Sequence, residues 1–316
     1  MISSLLDGLQ TALRGRVDAD VPLAPLTTYR LGGPARVLVE PADVADLEAL
    51  AREVSTRRAE GEEVPVLALG RGSNLVVSDD GWPGIVVHLG AAFVQIAGEA
   101  SLTAGAAATM PVVANHAARR GRAGLEFMIA IPGSIGGGVR MNAGAHGIDV
   151  SHTLSSIRLV SLVEGTIDDV PAAGLELTYR RSRLTDDELV VAATFEPLEA
   201  DPGAVRQRME SYRRHRAATQ PSAASNAGSV FKNPPGDHAG RLVEAAGLKG
   251  FRVGGAEVSQ LHANFFIADP GSAATDVHTL VAAVRARVHE RFGVELEPEI
   301  RFVGRFPEPV AAKANT

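Results

Sequence analysis

Between Leu125 and Gly147 the chain reads LEFMIAIPGSIGGGVRMNAGAHG, and this stretch sets terms for everything around it. An apolar run ends at Pro132; Gly133, Gly136, Gly137 and Gly138 follow, then Asn142, Gly144 and Gly147. Glycine costs backbone entropy wherever it is used, so so dense a mid-chain cluster calls for something lying close against bare main-chain N–H groups. One reading is a flexible linker. The interleaved Ile131, Ile135, Val139 and Met141 supply apolar anchors, which favours a rigid cradle whose successive amides form a concavity for a phosphate.

A second glycine loop, Gly70-Arg71-Gly72-Ser73-Asn74-Leu75, leaves a buried-strand pattern at Val64 to Leu69. It is not a Walker A sequence, because no Gly-Lys-Ser/Thr closes it, and it lacks the third glycine of the dinucleotide fingerprint. Taken alone it reads equally well as a hairpin connection. Two amide-lined loops in one chain can instead grip a single diphosphate from two sides.

At 316 residues the chain exceeds one ordinary core, so two domains are expected. Apolar residues at 45% and charged residues at 22% describe a soluble globular protein. A formal net charge of −6 argues against duplex nucleic acid as a partner. The absence of cysteine excludes disulfides, thiolate metal sites and a cysteine nucleophile, and the nine histidines show no metal-binding spacing, so no metal is expected. MISSLLDGLQTALRG has no basic n-region, and Asp7 and Gly8 interrupt it, so no signal peptide is expected. No run of 18 apolar residues occurs, so no membrane span is expected either. The tail from Pro307 to Thr316 reads as loose.

In chain order the pattern predicts a helix from Pro41 through Val54, strands at 85–89, 94–97 and 102–106, and a helix over 110–120 stopped by Gly121. Strands are expected at 157–163 and 189–195, enclosing LELTYRRSRL. Composition changes at Glu199 to Gly203, where a domain boundary is placed. Beyond it come a short helix around Arg241 to Ala246, a long helix carrying Val277, Leu280, Val281, Val284, Val288 and Phe292 on one face, and a strand-like LEPEIRFVG over 296–304. Strands and helices mix without strict alternation, which predicts an α+β fold.

YRLGGPA (29–35), GRGSNLVVSDDGWPG (70–84), IPGSIGGGVRMNAGAHG (131–147), YRRSRL (179–184), NAGSVFKNP (226–234), HANF (262–265) and LEPEIRFVG (296–304) together resemble the UDP-N-acetylenolpyruvoylglucosamine reductase (UDP-N-acetylmuramate dehydrogenase) family. The resemblance implies an FAD-binding region of the vanillyl-alcohol-oxidase type over 1–200 and a smaller α+β substrate domain over 201–316, with room for the last strand to pack back on the N-terminal region. It implies a cytoplasmic flavoprotein of peptidoglycan precursor synthesis, and so of cell-wall biogenesis and division, expected as a monomer. NADPH would reduce FAD, and reduced FAD would convert UDP-N-acetylglucosamine enolpyruvate to UDP-N-acetylmuramate.

By the same resemblance Gly70, Arg71, Gly72, Ser73, Asn74, Leu75, Pro132, Gly133, Ser134, Ile135, Gly136, Gly137, Asn142 and Gly144 hold FAD, and Arg180, Ser229 and Glu299 are catalytic. Hydride addition to an enolpyruvyl group pushes charge onto its carboxylate. Arg180 is a forked donor suited to that charge, a protonated Glu299 would add a second hydrogen bond, and Ser229 would protonate the neighbouring carbon. Taken singly, Arg180 reads as a solvated loop charge, Ser229 as a cap or turn residue and Glu299 as a surface carboxylate. Arg214 among its basic neighbours, Lys232 and Asn233 would take the UDP diphosphate or are plain solvated groups; His262 reads as a core or supporting histidine. The chain departs from the family at Ala130 and at Gln260-Leu261, and it lacks the substrate-closing tyrosine loop of longer members. An oxidase of the same flavoprotein superfamily, acting on a sugar or alcohol, and a non-catalytic nucleotide-sugar binder are the alternatives. The first would call for a His or Cys in a flavin-attachment pattern, which is not apparent, and the second for loss of a catalytic residue.

Overall fold

The computed structural model describes residues 2–222 and 225–308, so residues 309–316 of the tail read as loose lie outside the described residues. The chain packs as two units that interleave along the sequence. The first takes the chain up to Val21, Arg36–Arg71 and Gly84–Arg216; the second takes Pro22–Ala35, Gly72–Pro83 and the chain from Ala217 on. The composition change at Glu199–Gly203 therefore marks the start of a helix, Pro202–Thr219, whose buried Val205 and Met209 join the core of the first unit.

In the first unit, helices α1 (Ile2–Ala12) and α2 (Val44–Ala59) belong with a four-stranded sheet of order Arg16–Pro22, Pro34–Glu40, Trp82–His88, Val66–Leu69. Leu9, Leu47, Leu50 and Val54 from the helices share one core with Val37, Val66, Ile85 and Val87 from the strands. The apolar spacing of α2 is the one expected, and Asp43 caps it by accepting from the Asp46 amide. Val66–Leu69 and Trp82–His88 run parallel, which removes the hairpin reading of the glycine loop between them.

The second sheet of this unit is antiparallel throughout, in the order Ile167–Pro171, Leu154–Ser161, Glu188–Phe195, Leu102–Gly105, Ile96–Ala97. Helices α3 (Met110–Arg119), α4 (Ile135–Arg140) and α5 (Pro202–Thr219) contribute to its core around Leu102, Val113, Phe127, Val139 and Phe195. Two strands here have no counterpart in the sequence reading. Arg16–Pro22 and Ile167–Pro171 lie at sheet edges, and most of their residues face solvent, so neither shows an apolar repeat.

In the second unit, α6 (Ala239–Ala245) and α7 (Ala274–Phe292) are joined by a three-stranded antiparallel sheet of Arg252–Val253, Ala256–Val258 and Phe266–Ala268. Strand Leu75–Val77 pairs in parallel with Arg301–Val303, so the C-terminal strand does pack back on an N-terminal segment. The Asp79 carboxylate caps α7 by accepting from the amides of Ala274 at 2.7 Å and Thr275 at 3.0 Å. Of the expected 296–304 strand, Arg301–Val303 is paired as a strand, while Pro298 makes an isolated antiparallel bridge to Phe231. Among the described residues no helix is long and apolar enough to cross a membrane.

Asp46 illustrates how tightly the first unit is tied. Its buried carboxylate accepts from the main-chain N–H groups of Arg14 at 3.1 Å, Gly15 at 2.8 Å and Ala42 at 2.8 Å. Burial alone would raise its pKa, but these three donors and the Arg14 charge outweigh it and hold the carboxyl below its ordinary value of 3.8. A depressed folded pKa means the stabilisation is complete above the unfolded value and disappears as pH falls through the folded one. Asp46→Asn is therefore expected to lose about 2–4 kcal/mol at neutral pH and to show a shallower loss of stability below pH ~4 than the parent, measured by urea unfolding at several pH values.

Candidate functional site

Strand Val66–Leu69 delivers Gly70 and Arg71 to the end of its sheet, where they meet the second glycine loop. A Cβ at Gly70 would overlap Ser134 Oγ, and Arg71 Nε donates to the Pro132 carbonyl at 3.2 Å. The two loops are thus in contact, and it is glycine that lets them approach. The loop around Ser134 is rigidly held. Ile135 donates its amide to Ala108 at 2.9 Å, Gly136 donates to Ala106 at 2.9 Å, and Met110 donates to Gly133 at 3.0 Å. A Cβ at Gly138 would stand 3.0 Å from Met110 Sδ, so α4 needs glycine to lie flat on its neighbour. Ile135, Gly136 and Gly138 thus spend their amides on the protein itself, the last by donating to Ser134 O at 2.8 Å.

From Gly72 the loop belongs to the second unit. Gly72 has φ +57, and a Cβ there would lie 2.6 Å from Thr27 Cα. The Thr28 hydroxyl donates to the Asn226 carbonyl at 2.6 Å, and the Thr28 amide donates to Gly72 O at 3.3 Å. Asn74 Nδ2 donates to the Glu299 carbonyl at 3.0 Å, while Asn74 O accepts from the Arg301 amide at 2.9 Å. Asn74 therefore fixes the main chain on both sides of Ile300.

Ser229 and Glu299, far apart in sequence, are brought to neighbouring positions in the second unit. Asn226 Oδ1 accepts from the Gly228 amide at 3.0 Å, an Asx turn that presents Ser229. Val230, the next residue, donates to Asn264 O at 2.8 Å and accepts from the Glu299 amide at 2.7 Å. The Asn264 side chain brackets Phe231 in the manner of a paired strand: its Oδ1 accepts from the Phe231 amide at 2.9 Å and its Nδ2 donates to the Phe231 carbonyl at 2.8 Å.

Ser229 lines a cavity of about 400 Å³ with Asn233, His238, Arg241, Glu244 and His262. Asn233 Oδ1 accepts from the Ala239 amide at 3.1 Å, and Lys232 Nζ pairs with Glu297 at 2.6 Å. His262, read from the sequence as a core or supporting histidine, is among the residues that line this cavity. Its Nδ1 accepts from the Asn264 amide at 3.2 Å, which leaves the proton on Nε2, and burial pushes its pKa down. His238 and Arg241 were passed over because they stand outside the quoted motifs, although the NP before them and the helix after them mark a loop–helix junction.

Arg180 stands in the first unit, as does Arg214. Tyr179 and Arg180 form the corner of a tight turn closed by reciprocal bonds between Thr178 and Arg181 of 3.0 and 3.1 Å. Arg180 has φ +56, an uncommon conformation for a residue with a side chain, and its Nη2 donates to the Gly144 carbonyl at 2.8 Å. Arg214, by contrast, is an exposed residue of α5 lying 3.9 Å from Glu210. Among the described residues no group of His, Asp or Glu side chains is arranged to hold a metal ion.

Comparison with known proteins bears on both units. The model of the UDP-N-acetylenolpyruvoylglucosamine reductase C-terminal domain matches residues 220–303, and a model of an FAD binding domain matches residues 35–170. The UDP-N-acetylenolpyruvoylglucosamine reductase of Nitrobacter hamburgensis is 44% identical over 306 residues, covering 96% of this chain and 98% of that one. UDP-N-acetylenolpyruvoylglucosamine reductase 2 of Symbiobacterium thermophilum is 43% identical over 310 residues, covering 97% and 99%. The crystal structure of the reductase from Thermus caldophilus superposes with a TM-score of 0.78 at 34% identity, covering 92% of this chain and 100% of that one.

The contact between the glycine loops can be tested directly. Gly70→Ala is expected to cost about 1–3 kcal/mol in thermal unfolding, because the new methyl displaces Ser134, and adding Ser134→Gly to the same chain is expected to recover most of it. Equal loss in the single and double variants would mean that the loops do not press on each other there.

Proposed function

The chain belongs to the UDP-N-acetylenolpyruvoylglucosamine reductase family, and we propose that it is the NADPH-dependent flavoenzyme that reduces UDP-N-acetylglucosamine enolpyruvate to UDP-N-acetylmuramate for peptidoglycan precursors. The observation that carries this reading is a family match over nearly the whole chain, and it is supported by the placing of Ser229 and Glu299 on adjoining main-chain positions.

The glycine loops fit the diphosphate of FAD. Gly70 lets the first loop close on Ser134 of the second, which sets glycine-rich main chain from both loops side by side, a composition suited to an anion. Gly70 to Leu75 and Pro132 to Gly137 would hold the cofactor, which would supply hydride chemistry with NADPH as reductant.

The rest of the chemistry falls to the protein. Hydride reaches the terminal enolpyruvyl carbon, and the electron pair of the double bond passes toward the carboxylate. The Arg180 guanidinium would meet that charge with charge-assisted donors, and Glu299 would add a further donor when it carries a proton. Ser229 gives its hydroxyl proton to the carbon bearing the ether oxygen, which completes the lactyl group. An alcohol is a weak acid, so this step depends on a strongly basic enolate. Lys232 and Asn233, beside Ser229, take the substrate diphosphate together with Arg214. Lys232 is available for this because its partner Glu297 is largely exposed, and an exposed ion pair contributes little and exchanges readily.

Purified protein is expected to be yellow, to bleach under anaerobic NADPH and to recolour on addition of UDP-N-acetylglucosamine enolpyruvate; a folded, colourless preparation that takes up no FAD would end the flavin reading. Ser229→Ala is expected to bleach normally and recolour at least ~100-fold more slowly in stopped flow, and an unchanged recolouring rate would remove the proton-donor role. Glu299→Gln, which keeps a donor, is expected to retain about tenfold more turnover than Glu299→Ala, and equal loss in both would argue for the charged carboxylate instead.

A further inference from the structure

Three bonds join alternate residues after the glycine helix to alternate residues of the arginine turn. Ser182 Oγ donates to the Arg140 carbonyl at 2.7 Å, Asn142 Nδ2 donates to the Thr178 carbonyl at 3.0 Å, and Arg180 Nη2 donates to the Gly144 carbonyl at 2.8 Å. Asn142 is the buried member of this seat, and its side chain bonds on both its oxygen and its nitrogen. It is 1% exposed, sits at φ +39, donates its own amide to Val139 at 3.0 Å, and accepts on Oδ1 from the Ser151 amide at 3.0 Å. Its side-chain amide spans the gap between the 150-region main chain and the base of the turn that carries Arg180.

We propose that Asn142 is a positioning residue for Arg180 and not a ligand of the cofactor. The inference rests on the reading of Arg180 as the charge-stabilising residue. The physical argument is that a two-residue corner with a non-glycine residue in the left-handed region does not hold itself. The reciprocal Thr178–Arg181 bonds close the corner, but they do not say where it stands relative to the glycine loop. The Asn142 bond to Thr178 anchors its base, and the Gly144 carbonyl receives the guanidinium at its tip. Gly144 can serve only as glycine, because a Cβ there would lie 2.7 Å from Asp149 Cβ. Without the Asn142 anchor the turn spreads over several placements, and Arg180 meets the substrate carboxylate in only a fraction of them.

Asn142→Asp tests this with little change of shape. It keeps the acceptor for Ser151 and turns the donor toward Thr178 into a second acceptor; Asn142→Gly, which accepts φ +39 without strain, is the companion variant should the carboxylate unfold the loop. FAD content and the rate of bleaching by NADPH are expected to stay within about threefold of the parent, while recolouring by UDP-N-acetylglucosamine enolpyruvate slows at least ~10-fold. In an Arg180→Ala background the same Asn142 change is expected to slow recolouring by less than about twofold, since the residue it positions is already gone. Loss of FAD from folded Asn142→Gly protein would assign Asn142 to the cofactor and overturn the proposal. Equal slowing of bleaching and recolouring, or a full multiplicative effect on top of Arg180→Ala, would reduce Asn142 to a structural residue. An Arg180→Ala protein that recolours at the parental rate would instead overturn the reading of Arg180 itself, and this inference with it.

Discussion

Main-chain pairing at one buried residue, Val230, underlies the candidate chemistry of the second unit. Its N–H goes to Asn264 and its carbonyl takes the Glu299 amide, so a three-strand crossing is built from isolated bridges instead of a long sheet. Backbone hydrogen bonds in a dry interior are costly to leave unmade, and each fixes two chain segments to a fraction of an ångström. Ser229 and Glu299 inherit that precision without any side chain having to reach for it. Asn264 extends the device, since its amide group imitates the backbone of a missing strand and closes both polar groups of Phe231.

In the first unit the same end is reached by removing side chains. The glycines of the 133–138 loop let α4 lie against Met110 and Ala106, and Gly70 lets a second loop touch the first. The conformational entropy lost at these glycines is offset by amides that donate to Ala108 and Ala106 and by the buried Ile135 and Val139. A segment that looks loose by composition is therefore among the more firmly tied parts of the chain. In the MNAG residues that follow it, Asn142 donates to the Thr178 carbonyl and Gly144 accepts from Arg180.

Much of the local architecture was legible. Helices α2, α3 and α7 follow apolar positions at helical spacing, and Gly121 and Gly293 end α3 and α7 with left-handed φ values of +65 and +67. The strands that escaped notice, Arg16–Pro22 and Ile167–Pro171, are edges whose pairing is made by backbone groups common to every residue. LEPEIRFVG divides its pairing between two partners, an isolated bridge from Pro298 to Phe231 and the strand Arg301–Val303 against Leu75–Val77, which its alternation alone does not show. The candidate residues were legible as types in motifs, and Ser229 and Glu299 stand on adjoining main-chain positions; that His262 lines the cavity and that Asn142 bonds to Thr178 was not legible, because such contacts depend on which neighbour each side chain meets.

Composition and pattern alone established an α+β chain free of cysteine chemistry, with two glycine loops and a family's worth of motifs in order. These follow from properties each residue carries with it: size, charge, missing side chain, apolar period. Tertiary structure alone decided that the units interleave, that SDDG from the first third of the chain caps the last helix, that the amides of Ile135, Gly136 and Gly138 are already engaged, and that an asparagine beside that loop bonds to the arginine turn. Apart from the local bond from Gly138 to Ser134, each of these is a hydrogen bond or a close approach between segments dozens to nearly two hundred residues apart, and a main-chain donor or acceptor leaves no mark in sequence of the partner it will find.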